Sequence, residues 1–329
     1  MLVGRSRFAE GMPWQSMAAY FRQDLCPVEI IDTPVDGLRA VLAEDPDFDV
    51  VCPSPSRVGA EEIRLGRFGL IQQFGAGLDT VDVAAATAAG VWVCNLPGLN
   101  ASEVAEHALL LTLGAARGVP SLAEGFAPER WGQLTGRAIA DSTVCIVGMG
   151  AIGGEIAARL RPFGVKMLSV RRNADLPLPP ALDDVELMHD LNAALSQADI
   201  AIVAASFDPA AGPILTERQF ASMRAGTILV NIGRGGLIDE ESLLRALDDG
   251  TVAWAGLDVF STEPYPPDGP LVQHPHVFAT PHVSAITDRF FRRASAAFGE
   301  ALFAYARGEE PPHAVTSLPT PRAHAKSRR

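Results

Sequence analysis

The chain has 329 residues, 48% of them hydrophobic and 20% charged, with a net charge of −12. That length exceeds one ordinary core and predicts two domains, and the acidic balance argues against a broad nucleic-acid face. No apolar run approaches the roughly 20 residues needed to cross a bilayer, and MLVGRSRFAEGM lacks the apolar core of a signal peptide, so a cytoplasmic protein without a membrane partner is expected.

Along the chain, short β-branched runs alternate with helical patterns. Strands are predicted at 27–31, 48–52, 69–74 and 91–94, then at 142–148, 165–170, 199–205, 226–232, 252–259 and 276–280. Helical spacing runs through 103–117, 240–250 and 286–308, with Gly250 placed as a helix-ending glycine. Alternation of this kind implies parallel sheets covered on both faces, and several of the strands are apolar throughout, as such burial requires. The expected class is therefore α/β, with two Rossmann-like, doubly wound parallel-sheet domains. The first four strands make one group and the last six another. The helical pattern at 286–308 has no strand after it and is expected to return to the first group. The resulting boundaries are 1–102 with 286–318 for one domain and 103–285 for the other, leaving a Pro- and Arg-rich tail at 319–329 expected to be disordered. Cys26, Cys52, Cys94 and Cys145 are widely spaced, form no CxxC, and read as buried free thiols rather than metal ligands.

Residues 143–155, TVCIVGMGAIGGE, carry the most specific local signal. A strand runs into GxGxxG at Gly148, Gly150 and Gly153, with Ala151 and Ile152 opening a helix. In a dinucleotide fold the first glycine makes the tight turn, the second admits a pyrophosphate, and the third lets helix pack on strand. The helix N-terminus then offers free N–H groups to the phosphates. The next strand ends in LSVRRNAD, placing Arg171 eighteen residues beyond Gly153, followed by Arg172. An acid at this address bonds the ribose 2′-hydroxyl of NAD, whereas arginine accommodates the 2′-phosphate of NADP. NADP(H) is therefore the expected cofactor, with NAD(H) as the other option.

Ligands in open parallel sheets sit beyond the carboxyl ends of the strands, and polar residues recur there. Arg234 follows one strand, whose end at Ile232 and Gly233 is expected at the cofactor; Asp258 stands at the end of the next with Glu263 beyond it, and His282 follows the last. Each has an ordinary structural reading: Arg234 could pair with Asp239, Asp258 could hold a turn, Glu263 could be a loop charge, and His282 could be a buried, satisfied histidine. Together, beside a dinucleotide fingerprint, they suit hydride transfer to a 2-oxo acid. That reaction needs a cation for the carboxylate, a proton donor for the carbonyl oxygen, and a carboxylate that keeps the donor protonated.

The chain resembles the D-isomer-specific 2-hydroxyacid dehydrogenase family, which includes glyoxylate/hydroxypyruvate reductases. The resemblance rests on FGAGLDTVDVAAATAAGVWVCNLPG (74–98), NASEVAEHALLLTL (100–113), VGMGAIG (147–153), LVNIGRGGLIDEESLLRAL (229–247), AGLDVFSTEP (255–264) and TPHVSAIT (280–287). It implies a flavodoxin-like substrate domain and a dinucleotide-binding domain with a cleft between them. It also implies catalytic roles for Arg234, Glu263 and His282. Arg234 would bind the substrate carboxylate, His282 would be the acid in reduction and the base in oxidation, and Glu263 would orient His282. Asp258 would contact the nicotinamide, and Gly75, Ala76 and Gly77 would offer backbone N–H groups to the substrate. A homodimer built on the segment around 100–140 is implied as well.

The chain departs from the family at Arg171, where an acid is common, and in AASFDPAAG (204–212), where Asp208 replaces a usual threonine. Glu263 stands where formate dehydrogenases carry glutamine, which argues against that activity. With few residues after 310, the regulatory domain of long phosphoglycerate dehydrogenases is not expected. The expected function is NADPH-dependent reduction of small 2-oxo acids, with VCPSPSR (51–57) and Gln73 lining the pocket. Two alternatives stay open: a cofactor-sensing, corepressor-like binding protein on the same fold, and phosphite- or phosphonate-type oxidation. The second is disfavoured because no basic residue stands beside LIQQFGAGLD.

Overall fold

The computed structural model describes residues 2–6, 29–33, 37–53, 56–172 and 182–322, the first two stretches as backbone only. Their contacts separate two compact units, 1–100 with 287–329 and 101–286. Cys26, Ser54 and residues 323–329 lie outside the described residues.

The first unit holds a five-stranded parallel sheet in the order β2-β1-β3-β4-β5. The strands are β1 (Leu2–Ser6), β2 (Glu29–Thr33), β3 (Val50–Cys52), β4 (Leu70–Gln72) and β5 (Trp92–Cys94). This is the flavodoxin-like order, with the chain reversing direction between β1 and β3. The helix Asp288–Ala306 belongs to this unit, as its pattern predicts. Phe290, Ala294, Phe298 and Leu302, spaced four residues apart, bury one stripe against Val50, Leu70 and Trp92. Residues 313–316 then run antiparallel along β5: Val315 N donates to Val93 O at 2.8 Å, and Val93 N to Thr316 Oγ1 at 3.0 Å. That pairing covers an edge that would otherwise present unpaired backbone groups.

The second unit holds a seven-stranded sheet in the order β12-β11-β10-β9-β6-β7-β8, every neighbouring pair parallel. Its strands are β6 (Thr143–Val147), β7 (Lys166–Val170), β8 (Val185–Met188), β9 (Ile200–Val203), β10 (Thr227–Asn231), β11 (Val252–Leu257) and β12 (Val277–Ala279). This is the dinucleotide-binding order extended by one strand, with its switch point between β6 and β9. Side chains alternate between two cores. Val144, Ile146, Ile200, Ile202, Ile228 and Val230 face one. Cys145 and Val147 face the opposite side, as do Ala201, Val203 and Leu229. The helices Ala101–Ala116 and Ala151–Leu160 cover the first face, and Glu240–Asp248 covers the second. Burial pushes the thiols of Cys94 and Cys145 up to about 12, which leaves them inert packing groups.

Three sequence expectations need correction. The strand groups number five and seven rather than four and six, because β1 and β8 lack an apolar signature. The β8 stretch VELM pairs only with β7 at the sheet edge, so half its side chains meet solvent and Glu186 is tolerated there. The strand expected at 27–31 runs over Glu29–Thr33. The tail expected to be disordered from 319 is anchored to 322: Arg322 N donates to Gly90 O at 2.7 Å, and its guanidinium Nη1 reaches Gly66 O at 3.0 Å and Phe68 O at 3.2 Å.

Candidate active site

The glycine-rich turn behaves as its spacing demands. Gly148 has φ 103°, a conformation that L side chains avoid. A Cβ on Gly153 would sit 2.2 Å from Gly148 O, so only glycine lets the helix Ala151–Leu160 start this close to β6. Around Gly150 a Cβ would meet nothing within 4 Å, so that face of the turn is open. Gly150 caps the helix without a side-chain bond, leaving its first N–H groups available to an anion. Ala151 is exposed and Ile152 half-buried at this end. These features fit a dinucleotide pyrophosphate.

Arg171 and Arg172 follow β7 directly. The Nε and Nη2 atoms of Arg171 are buried and have no hydrogen-bond partner among the described residues. A buried guanidinium without acceptors is costly and suits an anionic ligand. Arg172 is exposed.

The loop after β10 is fixed by a side chain that the sequence reading overlooked. Asn231, 1% exposed, accepts from Gly233 N at 3.1 Å and donates through Nδ2 to Arg234 O at 3.0 Å. Ile232 is buried in the core and Gly233 packs close to Ala205. Gly235 follows with no room for a side chain, since a Cβ would lie 1.8 Å from the carbonyl carbon of Phe260. The loops after β10 and β11 are thus pressed together, which brings Arg234 towards Glu263. Asp239 does not take up the pairing open to it with Arg234. It caps the helix Glu240–Asp248 by accepting from Ser242 N at 2.7 Å.

Glu263 Oε2 lies 2.6 Å from His282 Nδ1, and Oε1 accepts from Phe260 N at 3.0 Å. Burial pushes the Glu263 carboxyl up. The bond and charge of His282, the Phe260 amide and the charge of Arg234 outweigh that and hold the group below its ordinary range. The ionised carboxylate commits the Nδ1 face of the imidazole and leaves Nε2 to act on a substrate. His282 itself has φ 52° and a side chain 38% exposed. A residue without glycine's freedom holds such a backbone only when its surroundings impose it.

Asp258 is positioned by the backbone of the last strand's turn. It is fully buried, and its carboxylate accepts from Thr280 Oγ1 at 2.6 Å, Val283 N at 2.9 Å and Ser284 N at 3.0 Å. These bonds clamp the turn that carries His282.

In the first unit, the loop at Gly75, Ala76 and Gly77 is oriented by the end of β5. Leu96 N donates to Gly75 O at 3.0 Å and Asn95 Nδ2 to Ala76 O at 2.8 Å. In a planar trans peptide the N–H points opposite to the C=O, so the N–H groups of Ala76 and Gly77 face away from Asn95 and Leu96. Two adjacent amides aimed the same way suit a carboxylate. The signal for Asn95 and Asn231 was in the sequence: each is a polar residue closing an apolar strand at its carboxyl end.

Comparisons with known proteins agree with this geometry. Residues 109–284 match the model of the "D-isomer specific 2-hydroxyacid dehydrogenase, NAD binding domain". A chloroplastic D-3-phosphoglycerate dehydrogenase of Arabidopsis thaliana is 35% identical over 276 residues, covering 83% of this chain but 47% of its own length. The chain therefore spans about half of that relative. A glyoxylate reductase of Korarchaeum cryptofilum is 31% identical over 289 residues, covering 85% of this chain and 82% of the relative. Among solved structures, an NADPH-dependent glyoxylate/hydroxypyruvate reductase from Sinorhizobium meliloti, in complex with NADP and malonate, superposes with a TM-score of 0.82 at 25% identity over 98% of both chains. With more than half its length matched by the family model on a fold and loop set of this kind, the chain belongs to the D-isomer specific 2-hydroxyacid dehydrogenase family.

Proposed function

We propose that the protein is an NADP(H)-preferring D-2-hydroxyacid dehydrogenase that works mainly as a reductase of small 2-oxo acids of the glyoxylate or hydroxypyruvate type. The observation that carries the reading is the 2.6 Å bond between His282 Nδ1 and Glu263 Oε2, with Arg234 close enough to lower the Glu263 carboxyl. A nicotinamide cofactor, when bound, supplies the hydride. His282 gives a proton from Nε2 to the carbonyl oxygen in reduction and takes it back in oxidation. Glu263 keeps the ring oriented and its Nδ1 engaged. Arg234 holds the substrate carboxylate and draws electron density from the adjacent carbonyl. The amides of Ala76 and Gly77 are offered to the same carboxylate.

The cofactor preference rests on Arg171, whose unpartnered guanidinium atoms suit the charge of a 2′-phosphate better than the neutral ribose 2′-hydroxyl of NAD. The named substrates and cofactor of the Sinorhizobium meliloti reductase point the same way. The test is oxidation of NADPH and NADH with a panel of 2-oxo acids. Turnover with NADPH and at least one small 2-oxo acid is expected, and absence of turnover across the panel would sink the proposal. Arg171→Asp should reduce the NADPH-over-NADH preference by about tenfold or more, the value of one lost charge-assisted phosphate contact. An unchanged ratio would leave Arg171 outside the cofactor site.

A further inference from the structure

His107 lies in the helix Ala101–Ala116, 173 residues from the residue it touches. Its Nε2 is 2.9 Å from Thr280 Oγ1 and 3.6 Å from Asp258 Oδ1, and its side chain is 14% exposed. Thr280 opens the turn that carries His282.

The proton arithmetic of this cluster has one solution. A threonine hydroxyl has a single proton, and Thr280 gives it to Asp258 Oδ1 at 2.6 Å. Both Asp258 oxygens also accept backbone N–H groups, from Val283 and Ser284, so the carboxylate is the acceptor throughout. Thr280 Oγ1 is left with only lone pairs for His107. The imidazole must therefore be the donor and carry a proton on Nε2. Imidazole, hydroxyl and carboxylate form a directed chain that ends on the backbone of residues 283 and 284. The main chain closes the same loop, since His282 N donates to Asp258 O at 2.8 Å. This enclosure surrounds the one residue of the set with a left-handed backbone, His282 at φ 52°.

We propose that His107 is a positioning residue for the reaction. As an Nε2–H donor it fixes Thr280, Thr280 fixes the Asp258 carboxylate, and Asp258 holds the turn that presents His282. The inference rests on the reading of His282 as the acid/base.

The test uses the full chain with His107→Leu, His107→Gln and Thr280→Val. His107→Leu and Thr280→Val should each lower kcat for 2-oxo acid reduction by roughly tenfold to a hundredfold, the scale of a misplaced catalytic group. The cofactor dissociation constant should stay within about twofold, because both residues act on the turn that presents His282. Combining the two should cost no more than either alone, since both cut one chain. His107→Gln, whose amide can donate to Thr280, should recover most of the loss. A role in packing alone would lower the Gln and Leu variants equally and in step with melting temperature, and that result would overturn the proposal. Thr280→Val, nearly isosteric, keeps the test alive if His107→Leu does not fold. A second arm does not depend on turnover. Nitrogen-15 NMR of the imidazole should find His107 protonated at Nε2, and a bare Nε2 would overturn the inference. A wild type that shows the Nε2 proton but reduces no 2-oxo acid would instead remove the enzymatic reading.

Discussion

Arg234 and Glu263 show how far a charged side chain depends on what surrounds it. Arg234 owes its position to Asn231 on one side and to the close approach at Gly235 on the other. Arg234→Ala should lower kcat/KM for any 2-oxo acid substrate by about a hundredfold, the equivalent of ~3 kcal/mol for a charge-assisted bond. Steady-state kinetics across several 2-oxo acids would check it, and near-normal values would remove Arg234 from the carboxylate site. Glu263 gives a prediction about pH. Its carboxyl is held below its unfolded value, so it stabilises the fold above about pH 4.3, and that contribution is lost as pH falls through the lowered folded value. Urea denaturation across a pH series should show wild type losing stability on acidification more steeply than Glu263→Gln. Parallel curves would mean that the carboxylate is not coupled to His282 as described.

At the scale of elements, the site is made by loops at the carboxyl ends of parallel strands, and their fit leaves little tolerance. The loops after β10 and β11 touch at Gly235, where a Cβ would lie 1.8 Å from the Phe260 carbonyl carbon. Gly235→Ala must push these backbones apart. A loss of roughly 1–3 kcal/mol is expected, typical of overpacking in a tight site, together with a larger drop in kcat than in cofactor affinity. Thermal melting and kinetics on the same preparation would check both parts, and a stable, fully active variant would show that the loops have slack. Much of this arrangement was legible from spacing. GRGG, STEP and TPHVS each follow an apolar run, and a ligand site at such ends is a property of parallel sheets. The particular bonds of Asp258 and Asn231 were not legible, because each is decided by which backbone groups happen to lie within hydrogen-bond reach of its side chain.

At the scale of the whole molecule, the second unit leaves several large apolar side chains exposed between residues 110 and 131. Leu110 is 50% exposed, Leu122 44%, Phe126 75% and Trp131 69%, and the last two rings meet edge-on at 6.0 Å. We propose a second copy of this chain as the occupant, in keeping with the segment around 100–140 expected to form a homodimer. Light scattering should give a dimer for wild type and a monomer for Phe126→Glu combined with Trp131→Glu. A monomeric wild type would reject the proposal. No helix among the described residues is long and apolar enough to cross a membrane.

By itself the sequence carried the α/β class and the glycine turn, because these depend on local periodicity and on glycines whose backbone roles are fixed by short spacing; it placed Arg234, Glu263 and His282 beyond the ends of three strands, and their roles rest on the family resemblance. It also carried the return of the helix Asp288–Ala306 to the first unit, since a long amphipathic stripe without a following strand needs a core elsewhere. Only the tertiary structure decided the rest. The edge strand β8 hides its signal because an edge needs no second apolar face. Arg322 is tied to the first unit because three backbone carbonyls lie within reach of its guanidinium. Asp258 holds the backbone of the turn at 283 and 284, and His107 meets Thr280 from 173 residues away. Hydrogen bonds of this kind are set by distances between strands and helices remote in sequence, and no spacing along the chain encodes them.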